Sequence, residues 1–246
     1  MKFKTVQASA FKSAFEVLKD ILNDINVYFD DKGIRITTLD TARTALVDFS
    51  LLADNFEEYS CKESVIAGIN VTNTFKLLKT ISNNDILSFE INNKEILDIK
   101  IENGNKKSCT SFQLKLLDIN EDFIEIPNVP TSVTTVMPSV DFQRICRDMN
   151  NLGQELRIIR TGDKLSIRCD GDFANQETVI ECNENYKGEI EGVYSLKYLN
   201  LFTKATSMCS TVRIVQEEQN RFLTLKYNVA NLGEMNFYMA TKATTE

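Results

Sequence analysis

Apolar positions along this chain repeat with two periods, and the two periods follow one another in the same order twice. In residues 9–24, "SAFKSAFEVLKDILND", apolar residues recur every three to four positions and predict an amphipathic helix. "INVYFDDKGIRITTLD" and "TALVDFSLL" then alternate or run apolar in the manner of strands. A second helical pattern, "VTNTFKLLKTIS", precedes two further strand-like segments, "DILSFEI" and "ILDIKIE". Beyond residue 138 the order recurs: "SVDFQRICRDMNNLG", "LRIIRTGDKLSIRCD", "QETVIECN", "SLKYLNLFTKAT", "STVRIVQ" and "FLTLKYNV". Turns are predicted at Asp31-Lys32-Gly33 and at Gly162-Asp163-Lys164. The pattern predicts an internal duplication of an α+β unit, each copy a sheet carrying two helices.

All three prolines, Pro127, Pro130 and Pro138, fall in "EIPNVPTSVTTVMP", beside the acidic run "DINEDFIE". Proline lacks a backbone donor and suits neither a helix interior nor a central strand, so an extended connector is predicted there. The predicted organisation is a first domain over 1–116, a connector over 117–133 and a second domain over 134–246.

The 246 residues suffice for one large domain or two smaller ones, and 43% of them are hydrophobic, enough to bury a core. Twenty-eight Lys and Arg against 35 Asp and Glu leave a net charge of −7, which argues against indiscriminate binding to nucleic acid or anionic membrane. A site for a polyanion must then be local. The N-terminal segment has no long apolar run and no stretch approaches the ~18 apolar residues of a spanning helix, so an intracellular protein without membrane partners is expected. Cys61, Cys109, Cys146, Cys169, Cys182 and Cys209 form no C-x-x-C arrangement and are expected to be reduced, mostly buried thiols, with no metal site. The chain has no histidine, which removes the usual general base and the commonest metal ligand. No phosphate-binding glycine loop occurs either, and no cofactor is expected.

On helical wheels, Lys76 and Lys79 lie opposite Leu77, Leu78 and Ile81; Arg144 and Arg147 lie opposite Phe142, Ile145, Met149 and Leu152; Lys197 and Lys204 lie opposite Tyr198, Leu199 and Phe202. Lys12 and Lys19 also share a face, together with Glu16 and Asp20. Solvated outer faces would account for any one helix. Four helices with two aligned cations each, in an acidic chain, predict a positive strip able to follow a phosphate backbone without reading bases.

The segments "LKDILNDINVYFDDKGIRITTLDTARTALVDFSL", "VTNTFKLLKTISNNDILSFE", "FQRICRDMNNLG" and "LKYLNLFTKATSMCSTV" resemble the proliferating cell nuclear antigen family of DNA sliding clamps, from about Val6 to Lys242. The resemblance implies a clamp fold of two similar domains per chain and a homotrimeric ring of six domains that encircles duplex DNA without catalysing a reaction. It implies that Lys12, Lys19, Lys76, Lys79, Arg144, Arg147, Lys197 and Lys204 face the DNA. It implies a subunit interface of Ser108, Thr110, Phe112, Gln113 and Leu114 against Thr178, Val179, Ile180 and Cys182, for which interior strands are the plainer reading. It implies an apolar peptide pocket of Leu39, Thr44, Leu46, Ile124, Ile126, Pro127, Tyr238, Met239 and Ala240, rimmed by Arg43. The implied partners are DNA polymerase, clamp loader, ligase and flap nuclease, in replication and repair, within a nucleus or at a cytoplasmic viral replication site. Phe123, Ile124 and Ile126 would otherwise be anchors of a loop on its own core. This chain departs from the family at Arg43, where histidine is common, at Thr241, where proline is, and at Gly162, which stands where eukaryotic members carry a modified lysine. Two other classes remain: a carboxylate-dependent metal nuclease using Asp40, Asp148 or Asp170, and a checkpoint-type subunit of a heteromeric ring.

Overall fold

A computed structural model describes residues 1–93, 95–121, 124–126, 132–219 and 221–242. The chain divides into two compact units: Met1–Thr41 with Val47–Ile126 and Asn228–Met235, and Ala42–Leu46 with Pro127–Tyr227 and Asn236–Glu246.

The first unit runs β1 (Lys2–Thr5), α1 (Ala8–Leu18), β2 (Asp24–Asp30), β3 (Gly33–Leu39), β4 (Ala45–Leu52), β5 (Glu58–Ser60), β6 (Val65–Asn70), α2 (Val71–Leu78), β7 (Asp85–Asn93), β8 (Ile96–Asn103) and β9 (Ser108–Lys115). One sheet has the order β5-β1-β7-β8-β9, and β2 lies between β3 and β6. Strand β1 pairs antiparallel with β5 and β7, β2 with β3 and β6, and β8 with β7 and β9, so one face of each strand can be apolar. In β7 the inward set is Leu87, Phe89 and Ile91; in β8 it is Leu97, Ile99 and Ile101. Helix α1 lays Phe11, Ala14, Phe15 and Leu18 onto this core, with the Phe11 ring 5.4 Å from Phe3 and 5.6 Å from Phe89. A spacing of three and four residues puts these side chains on one helical face and leaves Lys12, Glu16 and Lys19 off it.

The predicted turn at Asp31-Lys32-Gly33 joins β2 to β3. Asp30 Oδ1 accepts from the amides of Lys32 and Gly33, at 2.8 and 3.1 Å. Gly33 is required: its φ is 141°, and a Cβ there would meet the Leu51 carbonyl oxygen at 2.0 Å. The Tyr59 hydroxyl, 2.8 Å from the Asp30 carbonyl and 2.6 Å from that of Gly33, ties the turn from outside.

The second unit runs β10 (Ser132–Pro138), α3 (Ser139–Met149), β11 (Glu155–Asp170), β12 (Asn175–Ser195), α4 (Leu196–Phe202), a 3-10 turn (Thr203–Ser207), β13 (Thr211–Glu217), β14 (Phe222–Val229) and β15 (Gly233–Ala240). Strand β13 lies between β10 and β14, and β11 pairs with β12. Helix α3 buries Phe142, Ile145, Cys146 and Met149.

Three features differ from the sequence reading. "SLKYLNLFTKAT" is not one helix: α4 ends at Phe202 and the chain tightens into the 3-10 turn, so Lys204 follows a period of three rather than 3.6. Pro138, beyond the predicted connector, is the last residue of β10, opposite Thr211. Pro127, Pro130 and Phe123 lie outside the described residues. Of the cysteines only Cys146 and Cys169 are buried; Cys61, Cys182 and Cys209 are half-buried and Cys109 is exposed.

The hairpin turn expected at Gly162-Asp163-Lys164 does not form: these residues lie inside the single strand β11, and its pairing with β12 is interrupted there. Glu155–Thr161 faces Ser195–Glu189, whereas Lys164–Asp170 faces Glu181–Asn175, with register shifts on both sides of Gly162. Gly162 has φ 53°. The Arg160 guanidinium donates to the carbonyls of Gly162, Lys164 and Glu184. Residues 162 and 163 of β11 lie opposite residues 182–188 of β12, so the surplus length bulges from β12, and the Arg160 guanidinium bridges the two strands at that bulge.

Candidate DNA-facing cations and partner surfaces

Within the first unit α1 packs against α2, and within the second α3 packs against α4 and the 3-10 turn. Side-chain to backbone hydrogen bonds fix the second pair: Gln143 Nε2 donates to the Thr203 carbonyl at 2.8 Å, and Asn200 Nδ2 to that of Cys146 at 3.4 Å. Asn70 caps α2, its Oδ1 accepting from the Asn73 amide at 2.9 Å. Each helix turns its apolar stripe inward, so each pair presents four of the predicted cations away from the core.

Those eight cations fall into two kinds. Lys12 and Lys19 are half-buried and engaged: Lys12 Nζ donates to the Ile81 carbonyl at 2.9 Å, and Lys19 Nζ lies 2.8 Å from Asp20 Oδ1 and 5.3 Å from the centre of the Phe75 ring. Lys76, Lys79, Arg144, Arg147, Lys197 and Lys204 are exposed. Lys76 Nζ donates to Asn73 Oδ1 at 3.1 Å, and Lys197 lies 5.6 Å from its neighbour Tyr198. Arg144 meets Asp141 at 3.4 Å and Arg147 meets Asp148 at 3.9 Å, with arginine side chains 61% and 70% exposed. Exposed pairs of this kind contribute about 0.2–1 kcal/mol, too little to hold the arginines from a phosphate. Residues Val71–Lys79 and Leu196–Lys204 contain no acid at all.

Strand β9 ends its sheet, and its side chains are exposed except for half-buried Phe112 and Leu114; Ser108, Thr110 and Gln113 all face solvent. In β12, Val179 is 53% exposed while Thr178, Ile180 and Cys182 are half-buried. The resemblance assigned these two stretches to an interface, and the fold places both where an open strand edge is available.

The residues that the resemblance assigns to a peptide pocket occur in both units. In the first, Leu39 and Ile124 are half-buried and Ile126 is exposed. In the second, Leu46, Tyr238 and Met239 are buried, and Arg43, Thr44 and Ala240 are exposed. Arg43 has φ 55°, a left-handed conformation that few non-glycine residues adopt. Pro127 lies outside the described residues.

Three functional features escaped the sequence reading. Arg160 is 1% exposed, although it shares the inward parity of Leu156 and Ile158 and so carried a signal. Gly68 admits the beginning of the connector: the Leu117 amide donates to the Gly68 carbonyl at 2.8 Å, and a Cβ on Gly68 would meet the Leu117 oxygen at 2.2 Å. Asn26 Nδ2 holds the next turn of chain through the Ile119 carbonyl at 3.0 Å. Ser166 and Arg168 hydrogen-bond the Glu177 carboxylate and hold its pKa below the usual carboxylate range. Burial pushes the Cys146 thiol up, which makes it an inert core group.

Among the described residues, no group of three or more Cys, Asp or Glu side chains is placed to hold a metal ion. Asp40 is buried, whereas Asp148 and Asp170 are exposed. No described helix is long and apolar enough to cross a membrane.

A two-unit, sheet-rich chain with paired helices bearing outward cations is the architecture of a DNA clamp. Comparison with known proteins agrees: residues 1–124 match the model of the proliferating cell nuclear antigen N-terminal domain, and residues 125–242 match that of its C-terminal domain. The chain is 38% identical over 251 residues to "Probable DNA polymerase sliding clamp 1" of Paramecium bursaria Chlorella virus 1, covering 96% of this chain and 95% of that protein. It belongs to the proliferating cell nuclear antigen family, whose clamps are non-enzymatic scaffolds, and the nuclease reading falls.

Proposed function

We propose that this chain forms a homotrimeric ring that threads duplex DNA and tethers replication and repair enzymes to it. The exposed cations on α2, α3, α4 and the 3-10 turn carry the reading, because they stand on helical faces in a chain whose net charge is −7. Three chains of −7 give a ring of about −21, so attraction to DNA is confined to within about a Debye length, roughly 8 Å, of the cationic faces. Flexible cations on phosphates carry no sequence information, which leaves the duplex free to slide. Lys12 and Lys19 contribute to the local field while remaining tied to Ile81 and Asp20.

Partner enzymes would bind through short peptides at Leu39, Leu46, Ile126 and Tyr238, with Arg43 placing a positive charge on the rim. The viral similarity favours a replication site of a large DNA virus, nuclear or cytoplasmic. A checkpoint-type ring differs in requiring two other subunits, so this chain expressed alone would remain at 28.0 kDa.

Replacing Lys79, Arg147 and Lys204 together with Glu tests the assignment. Retention on duplex DNA should fall at least tenfold and its remaining dependence on salt should become shallower, because fewer counterions are released, with assembly mass unchanged. Equal retention by a correctly assembled variant would remove these residues from the DNA path.

A further inference from the structure

Lys12 of α1 and Lys19 at its C-terminal end both reach across to α2. Lys12 Nζ donates to the Ile81 carbonyl at 2.9 Å, just beyond the end of α2. Lys19 Nζ lies 5.3 Å from the centre of the Phe75 ring while meeting Asp20 Oδ1 at 2.8 Å. The Lys19 side chain is 25% exposed, against 61% and 70% for Arg144 and Arg147. Half-buried Phe75 of α2 is thus the aromatic surface on which a held cation rests.

Charge alone gives α1 little attraction for a polyanion, because Glu16 and Asp20 offset Lys12 and Lys19. Helix α2 is different. Val71–Lys79 contains no acid, and Phe75 stands four residues before Lys79 and so beside it on one helical face. The face of an aromatic ring attracts a cation without cancelling its charge. Resting on Phe75, Lys19 joins the margin of an acid-free surface instead of belonging to α1 alone. An ammonium has three N–H donors. Asp20 takes one of them and the ring covers one side, which leaves donor capacity for a phosphate oxygen. The side-chain rotations that a mobile lysine gives up on meeting a phosphate are already restricted here.

We propose that Phe75 is a positioning residue for DNA contact: its ring holds the Lys19 ammonium ready for a backbone phosphate and gives the first unit one pre-set contact beside its mobile ones. The proposal rests on the reading that the helical cations face DNA, and adds which of them is fixed and by what. Removing the ring leaves the number of charges unchanged, so it should weaken binding without altering the salt dependence. Removing Lys19 takes away a charge and should alter both.

Equilibrium titration of a short open-ended duplex with the full chain, between about 50 and 200 mM salt, supplies the test. The variants are Phe75→Leu, Lys19→Met, the two together, and Phe75→Tyr. Phe75→Leu should weaken binding about threefold or more at each salt concentration, as a parallel shift. Lys19→Met should weaken it and lower the slope of log affinity against log salt by about one for each Lys19 in contact. Added to Lys19→Met, Phe75→Leu should cost less than about 1.5-fold more, because the ring then has no ammonium to hold. Phe75→Tyr keeps a ring face and should stay within about twofold of wild type. Melting temperature and assembly mass establish that each variant is folded and assembled; if Phe75→Leu is not, Phe75→Met, which also lacks a ring, replaces it. No loss with Phe75→Leu, or a loss equally large in the Lys19→Met background, would overturn the positioning role and leave the DNA-facing assignment intact. Wild-type affinity and slope in Lys19→Met would overturn both the positioning role and the place of Lys19 on the DNA path.

Discussion

Arg160 carries its charge at a position only 1% exposed, and three backbone carbonyls take the place of water around it. Two of them, Gly162 and Lys164, belong to β11 where its register shifts, and the third, Glu184, belongs to the bulged stretch of β12, so one guanidinium ties the two strands together there. A hydrogen bond to a charged group contributes about 1.5–3 kcal/mol, and a carbonyl orphaned in a buried site costs about 1–3 kcal/mol. Arg160→Met keeps the volume and removes the donors. It should lower the stability of the second unit by about 2–4 kcal/mol, measured by urea unfolding followed through hydrogen exchange of β11 amides. A change under about 0.5 kcal/mol would show that water replaces the guanidinium without loss. The sequence marks the irregularity, because Gly162-Asp163-Lys164 interrupts an alternating pattern, but it suggests a hairpin turn where the chain continues as one strand. It concealed the staple, since an arginine is expected outside and its three acceptors are backbone atoms that no residue pattern announces.

Among the elements, helices were the most legible and connections the least. The stripes of α1 and α3 follow a 3.6-residue period, and their buried residues, Phe11, Phe15 and Leu18 or Phe142, Ile145 and Met149, are those the wheel selects. The last helix was read too long because periodicity cannot tell an α turn from a 3-10 turn over five residues. The engagement of Lys12 with Ile81 and of Lys19 with Phe75 is tertiary, arising from the packing of α1 on α2, and nothing local foretells it. The entry into the connector is set by Gly68, whose missing side chain lets Leu117 approach as an added strand. Gly68→Val should push Leu117 away, break the 2.8 Å bond between the Leu117 amide and the Gly68 carbonyl and speed exchange of that amide at least tenfold, while β2 amides stay protected. Unchanged protection at Leu117 would mean that Ile119 and Asn26 hold the segment without this contact.

At the scale of the whole molecule, charge distribution and topology act together. A net charge of −7 forbids strong general attraction to DNA, yet a two-helix face in each unit offers exposed cations with few competing acids. Weak and local attraction suits a protein held on DNA by encirclement rather than by affinity, because tight phosphate contacts would raise the barrier to sliding. Duplication was legible in the sequence as a repeated order of patterns, and the two family matches meet between residues 124 and 125. The proposed ring is not legible from periodicity, since it would depend on edges of separate copies meeting, and edge strands differ from interior strands only in what lies beside them.

Threading is the property that separates encirclement from ordinary binding, and it can be read without a loading enzyme. Purified wild-type protein is incubated with linear duplex that has one open end; the end is then capped with a bulky protein block, and retention is followed at about 0.3 M salt, where phosphate contacts are heavily screened. The account predicts that a complex of about 84 kDa, three times 28.0 kDa, stays on the capped duplex and is released when one end is cut free. It also predicts that duplex capped at both ends beforehand captures almost none. Equal capture by duplex blocked from the start, or retention that survives opening of the end, would contradict encirclement and reduce the cationic helices to an ordinary surface site.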